Sequence, residues 1–229
     1  MRDPLRLNER LFAFYYPRLV QLAENAGQRE TRRELVSRAE GRTLELGAGS
    51  GLNLPHYTRR VTELVVTEPS PYMLEHLTAR LGSDPPSVGS WSLVQAGAEE
   101  LPFEADSFDT VLGTYVLCTI PDPVQALDEV ARLLKADGRF LFLEHVHAGE
   151  GTMLGHFQDL VELPHRYLAA GCHPNRRTAA LLDASPLEIE RLQHSTQPRA
   201  FPTVRPTIIG SARPAPASTT RLSRRREAF

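Results

Sequence analysis

The stretch Thr43-Leu44-Glu45-Leu46-Gly47-Ala48-Gly49-Ser50-Gly51 decides the fold. An apolar run carrying one acid, Arg42 to Leu46, passes into three glycines at alternate positions. That is the pattern of a strand that ends in a sharp turn and opens into a helix, with no side chains to keep a ligand away from the backbone. No Gly-Lys-Ser/Thr follows, which excludes an ATP-type phosphate loop, and the last glycine stands one residue too early for the dinucleotide fingerprint. The next apolar run, Leu64 to Thr67, ends at Glu68. A carboxylate about 20 residues beyond a glycine turn, at the end of the second strand, can accept both hydroxyls of a ribose. Turn and acid together point to a cofactor that contains a nucleoside.

Outward from this unit, strands and helices alternate. Pro71 stands at the first position of a helix over Tyr72 to Leu81, capped by Ser70. Strands follow at Trp91 to Gln95 and Thr110 to Thr114, then a helix over Pro123 to Leu134, a turn at Asp137-Gly138 and a strand at Arg139 to Glu144. Such alternation predicts an α/β domain with a doubly wound, mostly parallel sheet and helices on both faces. Beyond it the sequence predicts helices over Thr152 to Ala170, interrupted at Pro164, and over Arg176 to Leu182. Two last strands are expected at Leu187 to Leu192 and Val204 to Ser211. At the other end, Leu7, Leu11, Tyr15, Leu19 and Leu22, widened by Phe12, recur three or four apart, the stripe of an amphipathic helix lying on the main domain. The expected organisation is a helical lid over 1–40, the main domain over 41–212 and a disordered basic tail over 213–229, which carries Arg221, Arg224, Arg225 and Arg226.

The composition sets outer limits. The chain has 229 residues and a formal net charge of -2, so no basic surface argues for nucleic acid, and a small-molecule substrate is the expected partner. Cys118 and Cys172 stand far apart, without the density of a disulfide scaffold, which suits a reducing, cytoplasmic setting. No secretory leader is evident. The apolar segment Leu5 to Leu22 is broken by Asn8, Glu9, Arg10 and Arg18, so no membrane anchor is expected there.

Further motifs carry a resemblance. Thr43 to Gly51, Glu68, Ala98-Glu99-Glu100-Leu101-Pro102-Phe103, Ser107-Phe108-Asp109, Val116 to Asp122 and Leu133 to Arg139 resemble, in order, the motifs of the class I S-adenosylmethionine-dependent methyltransferases. The resemblance covers roughly Arg42 to Val146 and implies a Rossmann-like, seven-stranded sheet with one reversed strand near its edge. The cofactor it implies is S-adenosylmethionine, lying across the carboxyl ends of the strands and leaving S-adenosylhomocysteine as product. Glu45 would help hold the methionine end, and the backbone from Gly47 through Ala48 and Gly49 to Gly51 would approach the cofactor. Glu68 would take the ribose, with Met73 near the adenine. Many relatives carry Asp where this chain has Gly97, which shifts adenine recognition to the backbone at Ala98 or to Glu99. Gly113, Thr114 and Tyr115 would face the methionine portion, Tyr15 would cover the cofactor, and Asn53 and Pro69 complete the expected set.

A narrower resemblance runs through Tyr115-Val116-Leu117-Cys118, Leu143-Glu144-His145-Val146 and Gly171-Cys172-His173-Pro174-Asn175-Arg176. These stretches are similar to a bacterial branch related to the microsomal alkyl-thiol methyltransferases. The function it implies is methyl transfer to a small, hydrophobic acceptor, a thiol before an oxygen or nitrogen, with a phospholipid amine and a non-catalytic cofactor-binding role as alternatives. A thiol reacts as its thiolate, so His145 and His173 are candidates for base or electrostatic partner, and Cys118 for lining the pocket. The apolar residues Met153, Leu154, Phe157, Leu160, Val161 and Leu163 would suit a substrate-selecting lid. His145, His147, His156, His165, Cys172 and His173 follow no recognised ligand spacing, and no metal is expected.

Overall fold

A computed structural model of the chain describes residues 4–197 and 199–216. Seven strands form one sheet: β1 (Gly41–Leu46), β2 (Val61–Thr67), β3 (Ser90–Val94), β4 (Phe108–Thr114), β5 (Leu134–His145), β6 (Leu187–Thr196) and β7 (Pro206–Pro214). Their order is β3-β2-β1-β4-β5-β7-β6, as the doubly wound expectation requires. Leu44 lies opposite Val65 on one side and Val111 on the other, both in parallel register. Only β7 runs the other way, antiparallel to β5 and to β6. The chain moves from β1 out to β2 and β3, then returns to place β4 on the other flank of β1. That reversal opens a crevice at the carboxyl ends of β1 and β4, where ligands of such sheets bind.

Both faces of the sheet are covered, which is why the central strands read as continuous apolar runs rather than alternating ones. Leu44, Val65 and Val111 pack against Leu127 and Val130 of α4 (Pro123–Leu133) and Leu182 of α7 (Thr178–Ala184). Leu64, Val66 and Leu112 pack on the opposite face against Leu35 and Val36 of α2 (Arg29–Val36) and Leu77 and Leu81 of α3 (Pro71–Ser83). Because Leu35 and Val36 are fully buried, α2 belongs to the core although it precedes residue 41.

Several expectations shift. The side chain of Ser70 caps nothing; its backbone N–H instead donates to Glu68 Oε1 at 2.9 Å. Asp137-Gly138 is absorbed into β5, whose pairing with β4 slips between Phe108 and Thr110. The segment expected as one helix over Thr152 to Ala170 is α5 (Met153–Leu160) and α6 (Glu162–Leu168), broken at Val161 rather than at Pro164. Pro164 falls in the first turn of α6, where the missing N–H would have no intrahelical partner anyway. Met153, Leu160 and Leu163 are exposed, so they line no pocket; α5 is instead pinned by the buried Gln158, which donates to Val146 O, Pro174 O and Thr203 O. The start expected for the last strand, Val204, ends a short 3-10 turn (Pro202–Val204), and the strand runs on to Pro214, so Arg213 and Pro214 are ordered rather than part of a tail. The rest of the expected tail from 217 onward lies outside the described residues.

The N-terminal helix α1 (Pro4–Ala23) is present, followed by a π turn (Glu24–Gln28). Its orientation is the reverse of the expected one. Leu11 and Leu22 of the stripe are 54% and 63% exposed, while Ala13, Val20 and Ala23 face inward. The side chains of Leu7 and Leu19 lie outside the described residues. Among the described residues no helix is long and apolar enough to cross a membrane.

Candidate active site

The turn after β1 is stitched to the end of β2. Ala48 N–H donates to Thr67 O at 2.9 Å, and Gly49 N–H donates to Glu68 Oε2 at 2.8 Å. Gly47, at φ +54°, lies so close to Val116 that a Cβ there would come within 2.5 Å of Val116 Cγ2. Gly49, at φ +58°, faces open space, with nothing within 4 Å of the same added atom. Beside it the hydroxyl of Ser50 is buried without a hydrogen-bond partner. Open space over the backbone, an unsatisfied buried hydroxyl and a carboxylate at the end of β2 together fit a nucleoside lying across the turn. Gly51 closes the turn against Leu54 and Leu77.

The end expected for the adenine is bounded by α3 and the loop after β3. Met73 and Ala98 are buried there, and Pro69 is exposed, its carbonyl accepting from Gln95 Nε2 at 3.2 Å. A Cβ on Gly97 would come 3.0 Å from Glu99 Oε2. The carboxylate of Glu99 thus leans over the position from which the usual Asp is missing.

At the end expected for the methionine portion the structure shows a buried polar network larger than expected. Glu45 accepts from Asn53 Nδ2 at 2.8 Å and from the Tyr57 hydroxyl at 2.7 Å. Burial pushes the Glu45 carboxyl above the usual carboxylate range, against the pull of these two donors. Arg32, from α2, donates to Asn53 Oδ1 at 2.7 Å and to Thr114 Oγ1 at 3.0 Å, and pairs with Glu24 of the π turn at 3.0 Å. Arg32 and Glu24 were missed because their stretch reads as an ordinary charged helix; nothing in their spacing marks them as buried. Gly113 is buried against Val116 and Phe140.

Tyr115 follows β4 at φ +56°, an uncommon backbone for a residue with a side chain. The turn is held by Glu144 of β5, wholly buried, whose Oε1 accepts from the N–H groups of Val116 and Leu117 at 3.0 Å each and whose Oε2 accepts from Cys118 N–H at 3.3 Å. Burial lifts the Glu144 carboxyl to about 7 despite these donors. The Tyr115 ring lies 4.4 Å from the His145 ring, between centroids. Both border a cavity of about 290 Å³ lined also by Tyr16, Val20, Gln28, Gln197 and Phe201. The wall is mostly apolar, and it opens where β4 and β5 end.

The expected residues separate here. Tyr15 does not reach this cavity: it is partly exposed and its hydroxyl donates to the carbonyl of Leu168 in α6, while its neighbour Tyr16 lines the wall. His173 is also off the wall; its Nδ1 pairs with Glu162 at 2.9 Å and its backbone N–H donates to Cys118 O. His145 is on the wall, but both ring nitrogens are engaged, Nε2 with Gln197 Oε1 at 3.1 Å and Nδ1 with Cys118 Sγ at 3.7 Å. The cysteines, 54 residues apart, meet with 3.7 Å between their sulfurs. Contact with Cys172 and burial push the Cys118 thiol well up, so as a free thiol it is no nucleophile at neutral pH.

Comparison with known proteins agrees with this geometry. A family described as "Methyltransferase domain" matches residues 44–142. Human thiol S-methyltransferase TMT1A is 30% identical over 171 residues, covering 74% of this chain and 69% of the relative. Human thiol S-methyltransferase TMT1B is 28% identical over 211 residues, covering 86% and 85%. A solved S-adenosylmethionine-dependent methyltransferase from Thermotoga maritima superposes with a TM-score of 0.64 over 92% of this chain and 100% of its own, at 19% identity. Glycine turn, carboxylate, sheet order and relatives coincide: the chain belongs to the class I S-adenosylmethionine-dependent methyltransferases.

Proposed function

We propose that this methyltransferase acts on the sulfur of a small, hydrophobic thiol. The observation that carries the reading is the mostly apolar cavity beside Tyr115 and His145, with the His145 imidazole on its wall and the sulfurs of Cys118 and Cys172 grouped behind it. Two of the relatives are named thiol S-methyltransferases, which supports the same acceptor. Bound S-adenosylmethionine supplies an electrophilic methyl group on a sulfonium. The chain's task is then alignment and exclusion of water, which together account for much of the acceleration of an in-line displacement.

Glu68 and the turn from Gly47 to Gly51 hold the nucleoside, and Glu45, Asn53 and Arg32 fix the methionine end. Tyr115, its ring tilted against that of His145, separates that end from the acceptor cavity and brings an apolar face to the reacting line. Tyr16 and Val20 of α1 close the cavity from above. Incubation with S-adenosylmethionine and matched alkyl thiols, phenols and amines, with the product identified by mass, tests the reading. A methyl thioether from the thiols is expected. Turnover confined to phenols or amines would reject the thiol, and cofactor binding without turnover of any acceptor would support a non-catalytic role.

A further inference from the structure

We propose that Cys118 Sγ, Cys172 Sγ and His145 Nδ1 form a three-ligand site for a soft divalent metal, zinc by its chemistry, with a fourth position turned towards the cavity for the acceptor's sulfur. These three atoms lie within 4.8 Å of one another. A tetrahedral zinc ion with sulfur at about 2.3 Å and nitrogen at about 2.0 Å separates two sulfurs by about 3.8 Å and sulfur from nitrogen by about 3.5 Å. The separations from Cys118 to Cys172 and from Cys118 to His145 are both 3.7 Å.

The surroundings match a ligand set as well as the distances do. A metal-binding histidine usually gives its other N–H to an oxygen acceptor, which fixes the tautomer and leaves the facing nitrogen with its lone pair. His145 Nε2 meets Gln197 Oε1, and Gln197 is held in turn by Gln28 and, through its backbone N–H, by Arg205 O. The two cysteine loops are tied together by the bond from His173 N–H to Cys118 O. Arg176 clamps the Cys118 loop by donating to Leu117 O at 2.5 Å and Ile120 O at 2.6 Å. Three ligands held on separate elements with one position open is the arrangement of catalytic rather than structural zinc, and Cys₂His is one of its ligand sets. His145 supplies the open side, because it is the ligand that lines the cavity.

The fourth-position role rests on the thiol reading above; the metal site does not. An acceptor thiol would bind through sulfur and release its proton to solvent, because a coordinating thiol is deprotonated outright. That sulfur's lone pair then forms the bond to the methyl carbon as the sulfonium carbon–sulfur bond breaks, its electron pair returning to the cofactor sulfur. The product is a neutral thioether, a weaker ligand that leaves.

The test uses the full chain, reduced with a phosphine and titrated with Co²⁺ and, separately, Zn²⁺. Expected are one metal per chain, thiolate-to-cobalt charge-transfer absorption and intense tetrahedral ligand-field bands. Cys118→Ser and Cys172→Ser should abolish the charge-transfer band or halve it. Gln197→Ala, which leaves all three ligands in place, should weaken affinity by about 10- to 100-fold. Adding 1-hexanethiol to the cobalt form should change the spectrum. Absence of stoichiometric metal in the reduced wild-type chain, or a Cys118–Cys172 disulfide that persists instead, would overturn the site. Cobalt binding with no response to the thiol would overturn the fourth-position role. A spectral response without methyl transfer to any thiol would leave the metal site standing and sink the proposed substrate class.

Discussion

Replacing Glu68 by Ala separates the cofactor-binding account from a purely structural one. Glu68 is 5% exposed, and its two oxygens anchor Gly49 N–H and Ser70 N–H at 2.8 and 2.9 Å. With a nucleoside bound, the same carboxylate would also accept from the ribose hydroxyls. A hydrogen bond to a charged group contributes about 1.5 to 3 kcal/mol, and two such bonds sharing one carboxylate do not add fully. A loss of about 3 kcal/mol follows, which corresponds to roughly a 150-fold rise in the dissociation constant for S-adenosylhomocysteine. Isothermal titration reads this directly. Adenosine, which keeps the ribose and lacks the amino acid, should lose affinity by a similar factor, because the damage is confined to the nucleoside end. Glu68→Gln should bind better than Glu68→Ala but unfold more readily than the wild type. Its amide must turn one N–H₂ donor towards a backbone N–H, and a buried donor left unpaired costs about 1 to 3 kcal/mol. Affinity of Glu68→Ala within about threefold of the wild type would refute the reasoning, since that margin is under 1 kcal/mol.

Three more outcomes follow from the site. Arg32→Met should lower stability by about 3 to 5 kcal/mol in urea unfolding, because it strands the buried Glu24 carboxylate, and Glu24→Leu in the same chain should restore part of it. Glu144 is raised in the folded chain from an ordinary 4.5 to about 7, so the folded state holds its proton more tightly than the unfolded one. Its contribution is complete below about pH 4.5 and disappears as pH rises through 7, amounting to about 3 kcal/mol; comparing unfolding at pH 4.5 and 8, Glu144→Gln should remove that much of the pH dependence. Gly47→Ala should impair cofactor binding and stability together, since its Cβ would meet Val116 at a residue of positive φ; an unchanged melting temperature would mean the turn relaxes freely.

The sheet was legible because parallel strands buried on both faces leave apolar runs that cannot be mistaken for amphipathic helix, as at Leu64 to Thr67. The candidate cofactor site was legible for a related reason: glycines and a carboxylate at strand ends mark places where backbone can meet a ligand. α1 misled because it is apolar on two sides. Periodicity finds the stripe of Leu11, Tyr15 and Leu22 but does not choose between it and the face of Ala13, Val20 and Ala23, which is the one the fold buries. Arg32 was hidden for a different reason, since a charged residue buries only when partners such as Glu24, Asn53 and Thr114 arrive from elsewhere in the chain. Cys118 comes from the loop after β4, His145 from the end of β5 and Cys172 from the loop before α7. No ligand spacing along the sequence can reveal a meeting that the sheet order creates.

A crystal structure of the chain with S-adenosylhomocysteine is the most direct test of where the cofactor lies. The account predicts both ribose hydroxyls within hydrogen-bonding distance of Glu68, the backbone of Gly49 against the nucleoside, and the sulfur facing the cavity between Tyr115 and Tyr16. A nucleoside bound anywhere else, with side chains packed over Gly49, would contradict it.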